Sequence, residues 1–148
     1  MNLDQHRTAG ASPLPVPEAW NLITESVIGA AIEVHSVLGP GLLERLYEEA
    51  MAVELRSRGL AFERQRLIRL AFKGQQLGDL KIDLVVENLV IVELKAIERV
   101  LDVHAAQLTS YLRSSDLPLG LLINFNHARL AEGITRRIYP RSSRLAAN

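Results

Sequence analysis

"KIDLVVENLVIVELKA", residues 81–96, decides the fold, because it reads as two apolar strands joined near Glu87-Asn88, each carrying charge where a buried strand would be apolar. Residues two apart on a strand share a face. Before the connection, Ile82, Leu84 and Val86 lie on one face and Lys81, Asp83 and Val85 on the other. After it, Val90, Val92 and Leu94 share one face, and Ile91, Glu93 and Lys95 the other. Matching the two apolar faces demands paired positions whose numbers sum to an even total, such as Val86 with Val90. A two-residue turn at Glu87-Asn88 would instead pair Val86 with Leu89, splitting the apolar set and sending Asp83 and Glu93 to opposite faces. The pattern therefore predicts a three-residue connection or a bulge. That same register sets Asp83 across from Glu93, with Lys95 on their surface.

Opposed carboxylates repel each other unless one is protonated or a cation compensates them. Magnesium, or manganese as its substitute, suits oxygens from Asp83, Glu93 and the Leu94 carbonyl; such an ion polarises a phosphodiester and acidifies its bound water. Lys95 is then placed to neutralise phosphate charge or orient the attacking water. The competing explanation is a half-exposed sheet whose polar face holds all three residues, with Lys95 and Asp83 in a weak surface salt bridge.

Outward from this hairpin, the order is helix, helix, three strands, helix, strand, strand. Residues 1–17, with Pro13, Pro15 and Pro17, read as an extended arm. From Glu18 to Val37 the apolar set Trp20, Ile23, Val27, Ala30 or Ala31 and Val34 recurs at helical spacing. "LGPG", 38–41, stops that helix, and a second runs from about Leu42 to Arg58, with Leu43, Leu46, Tyr47, Ala50 and Leu55 near one face and Gly59 as its stop. Leu67, Ile68, Leu70 and Phe72 suggest a strand, "KGQQLG" (73–78) a turn region, and 80–86 and 89–96 the two strands above. Asp102 is a candidate cap for a helix to about Leu112; "PLGLLINF", 118–125, reads as a buried central strand and "GITRRIY", 133–139, as a weaker last one. A single domain over 18–140 follows, with 141–148 as a tail.

Composition restricts the chemistry. The chain has 148 residues and no cysteine, which excludes disulfides, thiolate catalysis and Cys-ligated metals. No apolar run approaches the roughly 20 residues that span a bilayer, and the start lacks a secretion-signal pattern, so a soluble, cytoplasmic protein without a membrane partner is expected. With 17 basic and 17 acidic side chains, bulk charge does not advertise nucleic-acid binding. Five arginines fall between Arg129 and Arg144, and of these Arg136, Arg137, Arg141 and Arg144 are candidates for phosphate contact or for plain solubility.

Two helices add candidates to the strand residues. In "GLLERLYEEA", Gly41, Glu44 and Tyr47 are spaced by three, so Glu44 is available to point at the metal, although an acid in a first helical turn is also favourable without function. In "DVHAAQLTSYL", His104, Gln107 and Tyr111 form one stripe, with Gln107 free to bond water or phosphate or simply to lie on the helix surface.

Taken together, these residues resemble the GxxExxY protein family, a branch of the PD-(D/E)XK nuclease superfamily. "GLLERLY" carries the naming pattern; Asp83 in "KIDLVVE" with Glu93 and Lys95 in "VELKA" carries the nuclease pattern; "HAAQLTSYL" and "GLLINF" match the helix and strand that follow, so the resemblance covers about residues 22–139. It implies an α/β (mixed α+β) fold with a central mixed sheet flanked by helices, ordered ααβββαββ, a magnesium-dependent site, and DNA cleavage. By position it implies Asp83 and Glu93 as metal ligands, Lys95 as catalytic lysine, Glu44 as a supplementary acid, and Gln107 with Tyr111 as the supporting helix, alongside Tyr47 and His104. With so little surface to spare, DNA contact would rely on a local basic patch, a homodimer or a protein partner. The alternative is a catalytically silent nuclease-fold binding or assembly module, with Trp20 and the proline-rich arm on a partner surface.

Overall fold

In the computed structural model, which describes residues 16–146, a five-stranded mixed sheet separates two helical layers. The elements are α1 (Glu18–Leu38), α2 (Glu44–Ser57), β1 (Phe62–Phe72), β2 (Gln75–Val86), β3 (Val90–Lys95), α3 (Asp102–Ser115), β4 (Leu119–Asn124), β5 (Ile134–Ile138) and α4 (Ser143–Ala146). A 3-10 turn at Leu130–Gly133 precedes β5. The order across the sheet is β1-β2-β3-β4-β5, antiparallel except for β3 and β4, which are parallel and joined through α3. A parallel pair needs such a crossover, and its helix covers one face of the strands it joins.

The strand pattern of β3 and β4 follows from that cover: five of six residues in β3 and all six in β4 are buried. Leu84, Val86, Val90, Val92, Leu94, Leu119, Leu121 and Ile123 pack beneath α1 and α2 with Val27, Ala31, Tyr47, Met51 and Leu55. Val85, Ile91 and Leu122 face Leu108 and Leu112 of α3. The approach of α3 is close, since a Cβ at Gly120 would lie 2.7 Å from Leu108 Cδ1.

The hairpin register is the one the apolar pattern requires. Val86 pairs with Val90, Val85 with Ile91 and Leu84 with Val92, across a three-residue connection in which Leu89 N–H closes on the Val86 carbonyl. Glu87 (φ 53°) and Asn88 (φ 51°) both adopt the left-handed conformation of a tight hairpin turn.

Several local expectations need correction. Ile82 does not share a face with Leu84 and Val86; it packs under α3, because the backbone is interrupted at Asp83 and at its neighbour Gln65, whose φ is 52°. "KGQQLG" is not a turn throughout: Lys73-Gly74 make the turn and Gln75 onward is already strand, so β1 and β2 form a long ribbon. On α2, Leu43 and Leu46 are exposed, and the buried stripe is Tyr47, Met51 and Leu55. Trp20, in the first turn of α1, is half-buried and packs against the core. Asp102 is the first residue of α3, not its cap; the preceding Leu101 N–H donates to His104 Nδ1 at 2.8 Å. The proposed arm lies, up to residue 15, outside the described residues. After β5, Ser142 and Leu145 are buried, and Ser142 Oγ donates to the Asp116 carbonyl at 2.6 Å.

Candidate active site

Beyond Leu84 and Val92 the backbone pairing of β2 with β3 stops, although β2 continues beside β1 and β3 beside β4. The two strands fork there, and side chains take over the ladder. Asp83 N–H donates to Glu93 Oε1 at 3.0 Å, and Leu94 N–H donates to Asp83 Oδ2 at 2.9 Å. Each carboxylate thus satisfies an amide of the opposite strand, so that where backbone pairing stops neither of these two amides is left without an acceptor.

The electrostatics follow from the crowding. Glu93 is 4% exposed; burial and then the neighbouring Asp83 charge push its carboxyl from 4.5 up to about 8, against the pull of the Asp83 amide and Lys95. Burial also raises Asp83, while the Leu94 amide and the Gln65 side chain pull it down. Glu44 is raised by desolvation of its carboxyl, opposed by Lys95 and reinforced by Asp83. These shifts bring the α2 acid, both fork carboxylates and the lysine into one electrostatic neighbourhood.

The fork opens on both faces. On the α2 side a cleft of about 260 Å³ is lined by Glu44, Arg45, Glu48, Gln65, Asp83 and Leu94. On the α3 side a groove runs past Lys95, Val103, His104, Ala106, Gln107 and Ser110. Gln107 Nε2 donates to Tyr111 OH at 3.0 Å, and Tyr111 is raised by burial and then by the Glu93 charge, so the α3 stripe borders the fork. His104 stands in the same groove but spends Nδ1 on the helix start.

Tyr47 plays a different part. It is fully buried, stacks on Phe125 with ring centroids 4.4 Å apart, donates its hydroxyl to the Gly39 carbonyl at 2.5 Å and accepts from Leu42 N–H at 3.2 Å. Gly41, at φ +99° where a side chain would be strained, donates its N–H to Asn126 Oδ1 at 3.1 Å. The loop between α1 and α2 is therefore tied at both ends, which sets where α2 begins and where its first residue, Glu44, points. Tyr47→Phe keeps the stack and loses both hydroxyl bonds; it is expected to cost about 1–3 kcal/mol, against about 3–5 kcal/mol for Tyr47→Ala, by urea denaturation.

Arg136 and Arg137 are not drawn into the fork. They lie exposed on the edge strand β5, where Arg136 Nη2 donates to Asn21 Oδ1 at 2.8 Å and Arg137 Nη1 to the Arg136 carbonyl at 2.9 Å. Three cleft residues escaped sequence reasoning. Glu48 sits one turn beyond Glu44 and was legible from that spacing; Arg45 and Gln65 had no pattern to mark them.

Among the described residues no three His, Asp or Glu side chains converge as a ready metal cage. The donor chemistry nevertheless suits a hard cation: two carboxyl groups meet in a fork, both raised by burial, with the α2 acid nearby. No helix among the described residues is long and apolar enough to cross a membrane. Residues 21–137 match the family model described as the PD-(D/E)XK nuclease superfamily. No curated protein and no solved structure gives a significant match.

Proposed function

The chain belongs to the PD-(D/E)XK nuclease superfamily, and from that premise we propose that it is a metal-dependent nuclease hydrolysing phosphodiester bonds in DNA. The observation that carries the proposal is the fork itself, where the buried Glu93 and the half-buried Asp83 meet across β2 and β3, beside the Lys95 that follows on β3. A hydrophobic interior does not keep two acids together cheaply, and a divalent cation is the simplest partner that stabilises both as anions.

Asp83 and Glu93 would hold magnesium, or manganese in its place, with Glu44 approaching from α2. The ion supplies charge neutralisation at the phosphate and acidification of water. Lys95 places an ammonium beside the fork to stabilise negative charge on the substrate phosphate. Gln107, hydrogen-bonded to Tyr111, orients water or phosphate from the α3 groove. The Gly41-Glu44-Tyr47 device supports assignment to the GxxExxY branch, with Tyr47 setting the helix that carries Glu44. Arg136 and Arg137 serve as outlying contacts for a DNA backbone, and the protein acts in the cytoplasm, alone, as a homodimer or with a protein partner.

The test is a manganese titration followed by hydrolysis of a DNA and RNA panel. Asp83→Ala is expected to weaken manganese binding at least tenfold and to abolish metal-dependent cleavage while leaving the far-UV spectrum unchanged. Manganese binding by the parent without cleavage of any substrate would identify a silent binding module instead. Equal cleavage by parent and variant would trace the activity to a contaminant.

A further inference from the structure

We infer that Gln65 is a positioning residue for the Asp83 carboxylate, a role that rests on the proposed metal-dependent function. Three features of β1 point to it. Glu63, Arg64 and Arg66 pair in order with Val85, Leu84 and Ile82, yet Gln65 and Asp83, which stand opposite each other in that sequence, form no backbone pair. At this gap Gln65 takes φ 52°, a region that residues other than glycine rarely enter and that strands do not use. Its side chain then lines the cleft with Glu44, Arg45, Glu48 and Asp83.

The inverted backbone is put to use. Gln65 Nε2 donates to Asp83 Oδ1 at 3.3 Å and also to Glu48 Oε1. Asp83 Oδ2 is already held by Leu94 N–H, so both carboxylate oxygens have a fixed donor, one from each neighbouring strand. Glu48 is fixed in turn by Arg64 Nη2 at 2.8 Å. The chain of contacts Arg64, Glu48, Gln65, Asp83 connects α2 and β1 to the fork.

The choice of an amide has a chemical consequence. A guanidinium or ammonium in the same place would orient Asp83 equally well but would cancel the charge that attracts a cation. The neutral amide orients the carboxylate and leaves its charge available. Gln65 needs no contact with substrate to do this.

Gln65→Gly and Gln65→Asn separate the amide from the backbone. Glycine adopts φ 52° freely, so the melting temperature of metal-free Gln65→Gly is expected to equal or exceed that of the parent. Its manganese affinity, read from the electron paramagnetic resonance signal of the free ion, is expected to fall about tenfold. Asparagine tolerates the left-handed region and restores an amide, so Gln65→Asn is expected to recover part of the affinity. Unchanged affinity in Gln65→Gly overturns the role. So does a loss of affinity that tracks a fall in melting temperature, or an Asn variant as weak as the Gly variant. Failure of the parent to take up manganese is a different result; it overturns the proposed function and this role together.

Discussion

Between about pH 5 and about pH 9, without divalent metal, the protein is expected to lose about 3–5 kcal/mol of stability, most of which Glu93→Gln should retain. In the unfolded chain Glu93 releases its proton near its ordinary value of 4.5, whereas in the crevice it holds it up to about 8. Below 4.5 both states are protonated and the stability is fully present. Between these values the unfolded state binds fewer protons than the folded one, so stability falls with rising pH by up to about 1.4 kcal/mol per unit and levels off above the upper value. The raised Asp83 adds a slope of the same sign, which Glu93→Gln does not remove. The glutamine can still accept the Asp83 amide through Oε1, so the fork keeps its stitch. Urea denaturation across the pH range measures both proteins. Parallel pH profiles would show that Glu93 ionises as freely when folded as when unfolded. Magnesium should reverse the loss at high pH, because it binds the ionised carboxylates of the folded state alone.

Lys95→Met is expected to lower hydrolysis by about 100- to 1000-fold while leaving manganese affinity equal or tighter. Among the described residues the Lys95 ammonium forms no hydrogen bond or ion pair, although the residue's carbonyl accepts from Phe125 N–H at 2.9 Å; its charge acts on Glu44, Asp83 and Glu93 together. Removing an ammonium next to the carboxylates makes the crevice more negative, which favours a cation, but it also removes the positive group that would face the substrate phosphate. Paired metal titration and single-turnover cleavage separate the two effects. Parallel losses of affinity and rate would make Lys95 a support for the carboxylates rather than a catalytic group.

The meeting of Asp83 and Glu93 was legible because a register that joins Val86 to Val90 brings the two acids to the same level of their strands, even though backbone pairing ends at Leu84 and Val92. Glu44 was legible from its spacing to Gly41 and Tyr47. What alternation cannot foresee is a change of phase within a strand. Ile82 was misplaced for that reason, since the interruption at Gln65 and Asp83 depends on a backbone inversion at a residue with no turn preference. The function of Tyr47 was hidden for a different reason, because its hydroxyl partners are main-chain atoms of Gly39 and Leu42, which leave no side-chain signature. The extent of the β1–β2 ribbon was missed because glutamine and glycine in 75–78 resemble loop composition, whereas pairing with β1 carries them as strand.

The fork also changes how descent should be read in this protein. Asp83 and Glu93 stitch two strands as well as carrying charge, so selection for a folded sheet alone would preserve hydrogen-bond acceptors at both positions after any chemistry had been lost. Their persistence in a lineage would therefore say little about turnover. Among the described residues the Lys95 ammonium has no such second employment, so under the proposed function its fate in diverging copies of the gene would be the more sensitive record of whether cutting was kept.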